Sequence, residues 1–257
     1  MDVNGSLRQF APDGCSYTGV DLEPGKSVDL VVKPGEPLPF SDSAFDLILA
    51  SSVFEHDPAF WSTFLDLVRL VKEGGYIYVN APSNGKVHRY PEDHWRFYPD
   101  SGLALERWAT SQKLPVKLIE SFTAPRQKDM WNDFVAVFRR GEHEDELIGR
   151  FLHTSFGANN IWTIGADKPL RPYEPTEDMV LLDESDKKLK ALEHELEKTK
   201  NALKDAEDRL HSLQSNMVQR EEELTQVRAS LDTADARYSE QTKALLHQQK
   251  ETIRLEN

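Results

Sequence analysis

Cysteine is nearly absent from this chain. Cys15 stands alone among 257 residues, which excludes a disulfide framework and a thiolate metal site and suits a reducing compartment. Long apolar runs are missing too. No stretch of about 18 apolar residues occurs, and Met1 to Phe10 has no apolar signal core, so no membrane span is expected and the expected location is cytoplasmic. Positive charge is scarce: 31 Lys and Arg face 44 Asp and Glu, for a net charge of -13. No basic cluster is visible, which argues against wrapping a phosphate backbone. Proline stops at Pro175 and glycine at Gly165, and Glu, Lys, Leu, Ala and Gln then dominate to the end. That composition favours uninterrupted helix.

The helical part carries a heptad. Every seventh residue from Leu182 gives Leu189, Leu196, Leu203, Leu210, Met217, Leu224, Leu231, Tyr238, Leu245 and Thr252. Three places after each comes Leu192, Ala206, Leu213, Val227, Ala234 and Leu255, interrupted by Ser185, Thr199, Arg220, Gln241 and Gln248. This is an a/d seam with polar breaks, much longer than the roughly 20 residues of ordinary globular helices. It predicts self-association over 179–257 as a rod of about 110 Å. A solvated single helix that coils only with a partner is the alternative. Strand number is left open.

The front part alternates strands and helices. Ser16 to Asp21, Val28 to Val32, Phe45 to Ala50, Tyr76 to Asn80, Val116 to Phe122 and Phe134 to Arg139 are apolar, β-branched or aromatic runs of strand length. Ala59 to Lys72 has helical spacing of Phe60, Phe64, Leu67, Val68 and Val71, is entered by Asp57-Pro58, and is expected to end at Gly74-Gly75. Asp100 to Gln112 repeats the pattern with Leu103, Trp108 and Ala109 near one face. The rhythm predicts a largely parallel sheet covered on both sides. The stretch 141–178 is expected to pack its aromatics on the first domain and then act as a linker.

Candidate site residues lie at strand ends. Asp21 closes its strand after Gly19-Val20, where a carboxylate can receive both hydroxyls of a ribose; capping a turn is the alternative. Ahead of it, Asp2, Asn4 and Gly5 suit the tail of a glycine-containing loop opening a helix. His56 follows the next strand, and imidazoles as a class suit proton transfer near neutrality. His88, Tyr90, Asp93, His94 and Arg96 form a second group, with Trp95 and Tyr98 offering ring faces to a sugar. A well-packed loop with a structural Trp explains the same residues. His88 and His94 have no convincing third ligand, so no metal site is expected.

Leu38-Pro39-Phe40-Ser41-Asp42-Ser43-Ala44-Phe45-Asp46 is more specific. With Val53-Phe54-Glu55-His56, Leu70 to Gly75 and Asn80-Ala81-Pro82-Ser83-Asn84, it resembles class I S-adenosylmethionine-dependent methyltransferases of the methyltransferase-11 type, from Asp2 to about Phe138. His88-Arg89-Tyr90-Pro91 and Trp95-Arg96-Phe97-Tyr98-Pro99 resemble a subgroup found beside glycosyltransferases in surface-polysaccharide gene clusters. The resemblance implies a Rossmann-like methyltransferase sheet with its first strand missing; with the heptad segment behind it, the expected fold is α/β followed by a long α-helical coiled coil, with domains 1–140, 141–178 and 179–257. It implies S-adenosyl-L-methionine as cofactor, with Asp21 and Leu22 at the ribose, Gly35, Glu36 and Pro37 facing the adenine, and Ser51, Ser52 and Val53 at the methionine end. His56 is the first choice of base, with His88, Tyr90, His94 and Arg96 as further catalytic candidates. The acceptor expected is a sugar or other small polar molecule of cell-surface polysaccharide synthesis. Expected partners are further copies of the chain and glycosyltransferases.

Two departures from the family pattern stand out. The usual acid near Pro34 is lacking, with Glu36 as its possible substitute. A first strand with its glycine-rich turn is missing ahead of Asp2, either because the true start lies upstream or because the copy is degenerate. A non-catalytic interaction protein on a coiled coil is therefore the alternative function. A nicotinamide-dependent enzyme shares the strand-end acid but lacks a Gly-x-Gly-x-x-Gly turn here.

Overall fold

The computed structural model describes residues 7–127, 131–141 and 151–255. Two units divide the chain at Glu184 and Ser185.

In the first unit, β3 (Phe45–Ser51), β4 (Val71–Pro82), β5 (Val116–Thr123), β6 (Asp133–Arg140) and β7 (Asn159–Thr163) form one sheet in the order β3-β4-β6-β5-β7. β3 and β4 run parallel; the other pairs are antiparallel. The sheet is thus mixed rather than largely parallel. Among the described residues β1 (Val20–Asp21) and β2 (Leu30–Val31) pair with each other, in parallel, and both are much shorter than their apolar runs. β3 is likewise an edge strand among the described residues, with Leu47 and Leu49 exposed on one face while Ala50 is buried and Ile48 packs on the core.

Helices α1 (Phe60–Leu70) and α2 (Ser101–Ser111) contribute to one core. Phe64, Leu67 and Val68 of α1 and Leu105 and Ala109 of α2 join Ile77, Val79 and Ala81 of β4 and Phe134, Ala136 and Phe138 of β6. Alternation along β4 and β6 sends every second residue here. The opposite face holds a smaller cluster of Phe122, Val135, Ala158 and Ile161, with Tyr78 beside it. Ile161 belongs to β7, which grows out of the 141–178 stretch; Phe156 and Tyr173 of that stretch stay exposed. Trp108 is also exposed, and Gly102, not Trp108, completes the buried face of α2.

Helix α1 ends sooner than its sequence pattern. Val71 continues the apolar spacing but is the first residue of β4, so Gly74 and Gly75 lie within the strand. The ladder jumps from Phe45↔Val71 to Leu47↔Tyr76, and the bulge between needs both glycines. Gly74 has φ 75°, and a Cβ on Gly75 would stand 2.8 Å from the Asp46 carbonyl oxygen. The helix start also shifts. Asp57 accepts the Ala59 N–H at 2.8 Å and bonds the Thr63 hydroxyl, while the first helical residue is Phe60.

Helix α3 (Glu177–Leu255) runs without interruption across the unit boundary. Its first turn is tied into the first unit by Arg126 Nε, which donates to Glu177 Oε1 at 2.5 Å, and by Asn84 Nδ2, which donates to Asp178 Oδ1 at 3.2 Å. In the second unit the heptad leucines, from Leu189 to Leu245, are exposed.

Candidate active site

Because β3 and β4 are parallel, the loops after Ser51 and Pro82 leave the same edge of the sheet. Backbone bonds join the two loops. The Glu55 carbonyl accepts the N–H groups of His94 and Trp95 at 2.7 and 3.3 Å, and the Pro82 carbonyl accepts that of Phe97 at 3.0 Å. Trp95 Nε1 donates to the Asp57 carbonyl at 2.9 Å, and its ring packs on Phe60 and Trp61.

The first loop turns sharply. Ser52 sits at φ 53° with its N–H on the Asn80 carbonyl, and His56 N–H closes onto the Val53 carbonyl at 3.1 Å. This sends Phe54 into the core with Glu55 buried beside it, while His56 faces the second loop. His56 Nδ1 contacts the Glu92 carbonyl oxygen. A carbonyl only accepts, so Nδ1 carries the proton and Nε2 keeps its lone pair in the neutral ring. That Nε2 lies 3.7 Å from Glu55 Oε1.

Three predicted residues come together here. The rings of His56 and His88 lie 4.8 Å apart, and Tyr90 stands 6.4 and 6.1 Å from them. His94 instead places Nε2 3.1 Å from Glu92 Oε2. Arg96 is built into the loop. Its guanidinium holds both oxygens of Asp93, donates to the carbonyls of Lys86 and Trp95, and lies over the Trp131 ring. Asp93 also accepts the His88 N–H at 2.7 Å. The Arg96 pair holds the Asp93 carboxyl well below the usual carboxylate range, and the His88 N–H adds to the effect. His88 Nδ1 stands 3.2 Å from Asp93 Oδ2, an ion pair only when the ring is protonated, and this buried nitrogen makes no hydrogen bond.

Glu55 is the residue that sequence reading missed. It is 1% exposed, and its Oε2 makes no hydrogen bond. Burial pushes its carboxyl up to about 7; nearby Asp133 adds to the rise and Arg96 opposes it. The only sequence sign was its place between the apolar Val53-Phe54 and His56. Together Glu55, His56 and His88 set three ligand atoms within 4.8 Å of one another. Of the 88–94 segment only His88 belongs to this group; Glu55 and His56 come from the other loop, and His94 stands apart on Glu92.

At the cofactor-side positions, Asp21 ends β1 and Oδ1 accepts its own turn's Leu22 N–H at 2.6 Å and Glu23 N–H at 3.4 Å. Leu22 is exposed. Gly35 adopts φ 76° in the turn closed by Glu36 N–H on the Lys33 carbonyl; Glu36 pairs with Lys33 at 3.5 Å, and Pro37 follows. Ser51 Oγ donates to Asn80 Oδ1 at 2.7 Å, and Asn80 Nδ2 donates to Asp133 at 2.9 Å. Val53 is exposed beyond them. Asp2, Asn4 and Gly5 lie outside the described residues.

Residues 4–79 match the family model of a methyltransferase domain. An uncharacterized methyltransferase of Mycobacterium tuberculosis is 32% identical over 92 residues, covering 30% of this chain and 36% of the relative. One from Mycolicibacterium paratuberculosis is 28% identical over 137 residues, covering 46% and 52%. The chain thus spans between about a third and half of these curated relatives. Among solved structures, the 1,6-didemethyltoxoflavin-N1-methyltransferase of Burkholderia thailandensis, with bound S-adenosylhomocysteine, is similar at 19% identity and TM-score 0.40, covering 49% of this chain and 61% of that one. The front part of the chain is therefore similar in sequence to methyltransferase domains.

Proposed function

We propose that the chain is an S-adenosylmethionine-dependent methyltransferase acting on a hydroxyl of a sugar or other small polar acceptor. The observation that carries this reading is a methyltransferase-type segment ending at the loop edge where His56, His88 and Tyr90 converge. The residues fit the cofactor. Asp21 presents a carboxylate at a strand end, and Gly35 turns at φ 76° with open space where a Cβ would project. Ser51, Ser52 and Val53 would border the methionine end, and Leu22, Glu36 and Pro37 the nucleoside. When bound, the cofactor supplies an electrophilic methyl group on a sulfonium.

The chain's own part is to orient and deprotonate the acceptor. His56 Nε2 takes the hydroxyl proton, since Nδ1 is committed to the Glu92 carbonyl. Tyr90, exposed beside it, offers a ring face and a hydroxyl to a sugar. Arg96 and His94 act through the loop, by fixing Asp93 and Glu92. The resemblance of His88–Pro91 and Trp95–Pro99 supports a role in cell-surface polysaccharide synthesis in the cytoplasm. The exposed heptad supports self-association, with glycosyltransferases as further partners.

Isothermal calorimetry with S-adenosylmethionine, on this chain and on a form extended by any upstream coding residues, tests the reading. Binding by the extended form supports it, and absence of binding by both removes it. The edge place of β3 among the described residues and the two-residue β1 and β2 favour a second reading, a non-catalytic coiled-coil protein with a degenerate domain. It expects oligomers from 179–257 and no cofactor uptake by any form.

A further inference from the structure

From the convergence of two loops on one buried carboxylate, we infer that Glu55, His56 and His88 form a binding site for one divalent transition-metal ion of the zinc class. The three ligand atoms lie within 4.8 Å of one another, and Glu55 Oε1 and His56 Nε2 are 3.7 Å apart. Around a tetrahedral ion with bonds of about 2.0–2.1 Å, ligand atoms stand roughly 3.4 Å from each other. A ring shift of about an ångström closes the shell. Two histidines and one carboxylate leave a position open for water or another oxygen ligand.

The surroundings independently favour a cation. Glu55 Oε2 is buried without a hydrogen-bond partner, and one nitrogen of His88 shares that condition. Buried polar atoms left unpaired are costly, and a cation held by the Glu55 carboxylate offsets that cost at its own group. The charges facing Glu55 are Asp93, Asp133 and Arg96, so three carboxylates meet one guanidinium, which is itself bound to Asp93. The outer contacts also suit ligation. The Glu92 carbonyl orients His56 through Nδ1 and leaves Nε2 for the metal, as carbonyl partners commonly do for ligating imidazoles. His88 is held through its backbone N–H on Asp93.

One consequence rests on the methyltransferase reading. The lone pair of His56 Nε2 can take the acceptor's proton or the metal, not both. Zinc is therefore expected to slow methyl transfer.

The site is tested on the full chain after chelator treatment, by titration with zinc chloride followed by calorimetry and with cobalt chloride followed by visible absorption. One equivalent bound per chain is expected, with cobalt showing the intense bands of a four-coordinate ion. E55Q, H56Q and H88Q, each checked for native circular dichroism, should weaken zinc by roughly tenfold or more, since loss even of outer partners costs that much. No binding, or binding unchanged in the H56Q/H88Q double variant, would overturn the site. Cofactor calorimetry on metal-free chain decides the methyltransferase reading separately, so the two can fail independently. Undiminished methyl transfer with zinc bound at this site would overturn the competition.

Discussion

Arg96 holds Asp93 through both carboxylate oxygens, Nη1 to Oδ1 at 2.6 Å and Nη2 to Oδ2 at 2.8 Å, and the Asp93 side chain is 1% exposed. The pair sits under the loop that carries His88 and Tyr90. Because Asp93 also receives the His88 N–H, loosening it frees the backbone at the candidate site.

Removing one partner leaves the other's charge buried and unpaired. R96M is expected to lower unfolding stability by about 3 kcal/mol, and D93N by less, since it keeps an acceptor for His88. Urea denaturation followed by fluorescence measures this. A change within error for both would show that the pair is dispensable.

Asp21 presents the clearest test of the cofactor side. It is exposed, and its contacts are to its own turn. D21A should therefore leave the melting temperature nearly unchanged while weakening S-adenosylmethionine by roughly 10- to 100-fold, the scale of hydrogen bonds to a charged acceptor. D21N, which can still cap the turn, should separate the two roles: a normal turn with weakened cofactor.

Asp29 gives β1 a pH dependence of known sign. Gly19 N–H donates to its Oδ2 at 2.7 Å and Arg8 pairs with it, which holds the carboxyl below its usual value of 3.8, the Gly19 bond contributing most. A folded-state value below the unfolded one means that the contact stabilises above the unfolded value and is lost as pH falls through the folded one. The Gly19 amide should therefore still be protected from hydrogen exchange at pH 3.8 and lose protection only as pH falls further, through the lowered folded value. In D29N that protection should be weak and flat with pH.

Strands β3, β5 and β6 and helix α2 were legible within a residue or two from their apolar runs and spacing, although the buried face of α2 is Gly102, Leu105 and Ala109 rather than one that includes Trp108. The end of α1 was not. Val71 fits the helical spacing and is buried, but as a strand residue, and only the ladder with Phe45 distinguishes the two. β1 and β2 have strand-like composition, yet their length depends on neighbours that local sequence does not encode. β7 is five residues long and opens on Asn159-Asn160, and its one fully buried side chain, Ile161, gives no alternation to read. In the site, His56, His88 and Tyr90 were legible by type, whereas Glu55 was not. A buried carboxylate looks the same in sequence as an exposed one until another loop covers it.

Gly75 tests the bulge that ends α1 early. A methyl there would meet the Asp46 carbonyl oxygen and Val71 Cγ2, both at 2.8 Å, with backbone on one side unable to move away cheaply. G75A is expected to cost about 2 kcal/mol, in the range of core overpacking. G35A, at φ 76° but in open space, should cost only about 1 kcal/mol from backbone strain. Equal effects in urea denaturation would remove the steric account.

The proposed self-association rests on the heptad face of α3. Leu196, Leu203 and Leu210 are more than half exposed on the single helix, a loss that only an apposed apolar seam recovers. The polar breaks in that seam differ in kind. Thr199 already donates its hydroxyl to the Glu195 carbonyl at 2.8 Å, so it can enter a dry interface without an unsatisfied donor. Arg220 instead pairs with Glu223 at 3.1 Å and stays largely exposed, so it opens the seam to water. Sedimentation of the full chain should therefore show an oligomer that L203N/L210N dissociates. R220L should tighten it, raising the concentration-dependent melting of the helix, whereas T199A should change it little. A monomer unaffected by any of these would leave the exposed leucines for a different partner chain.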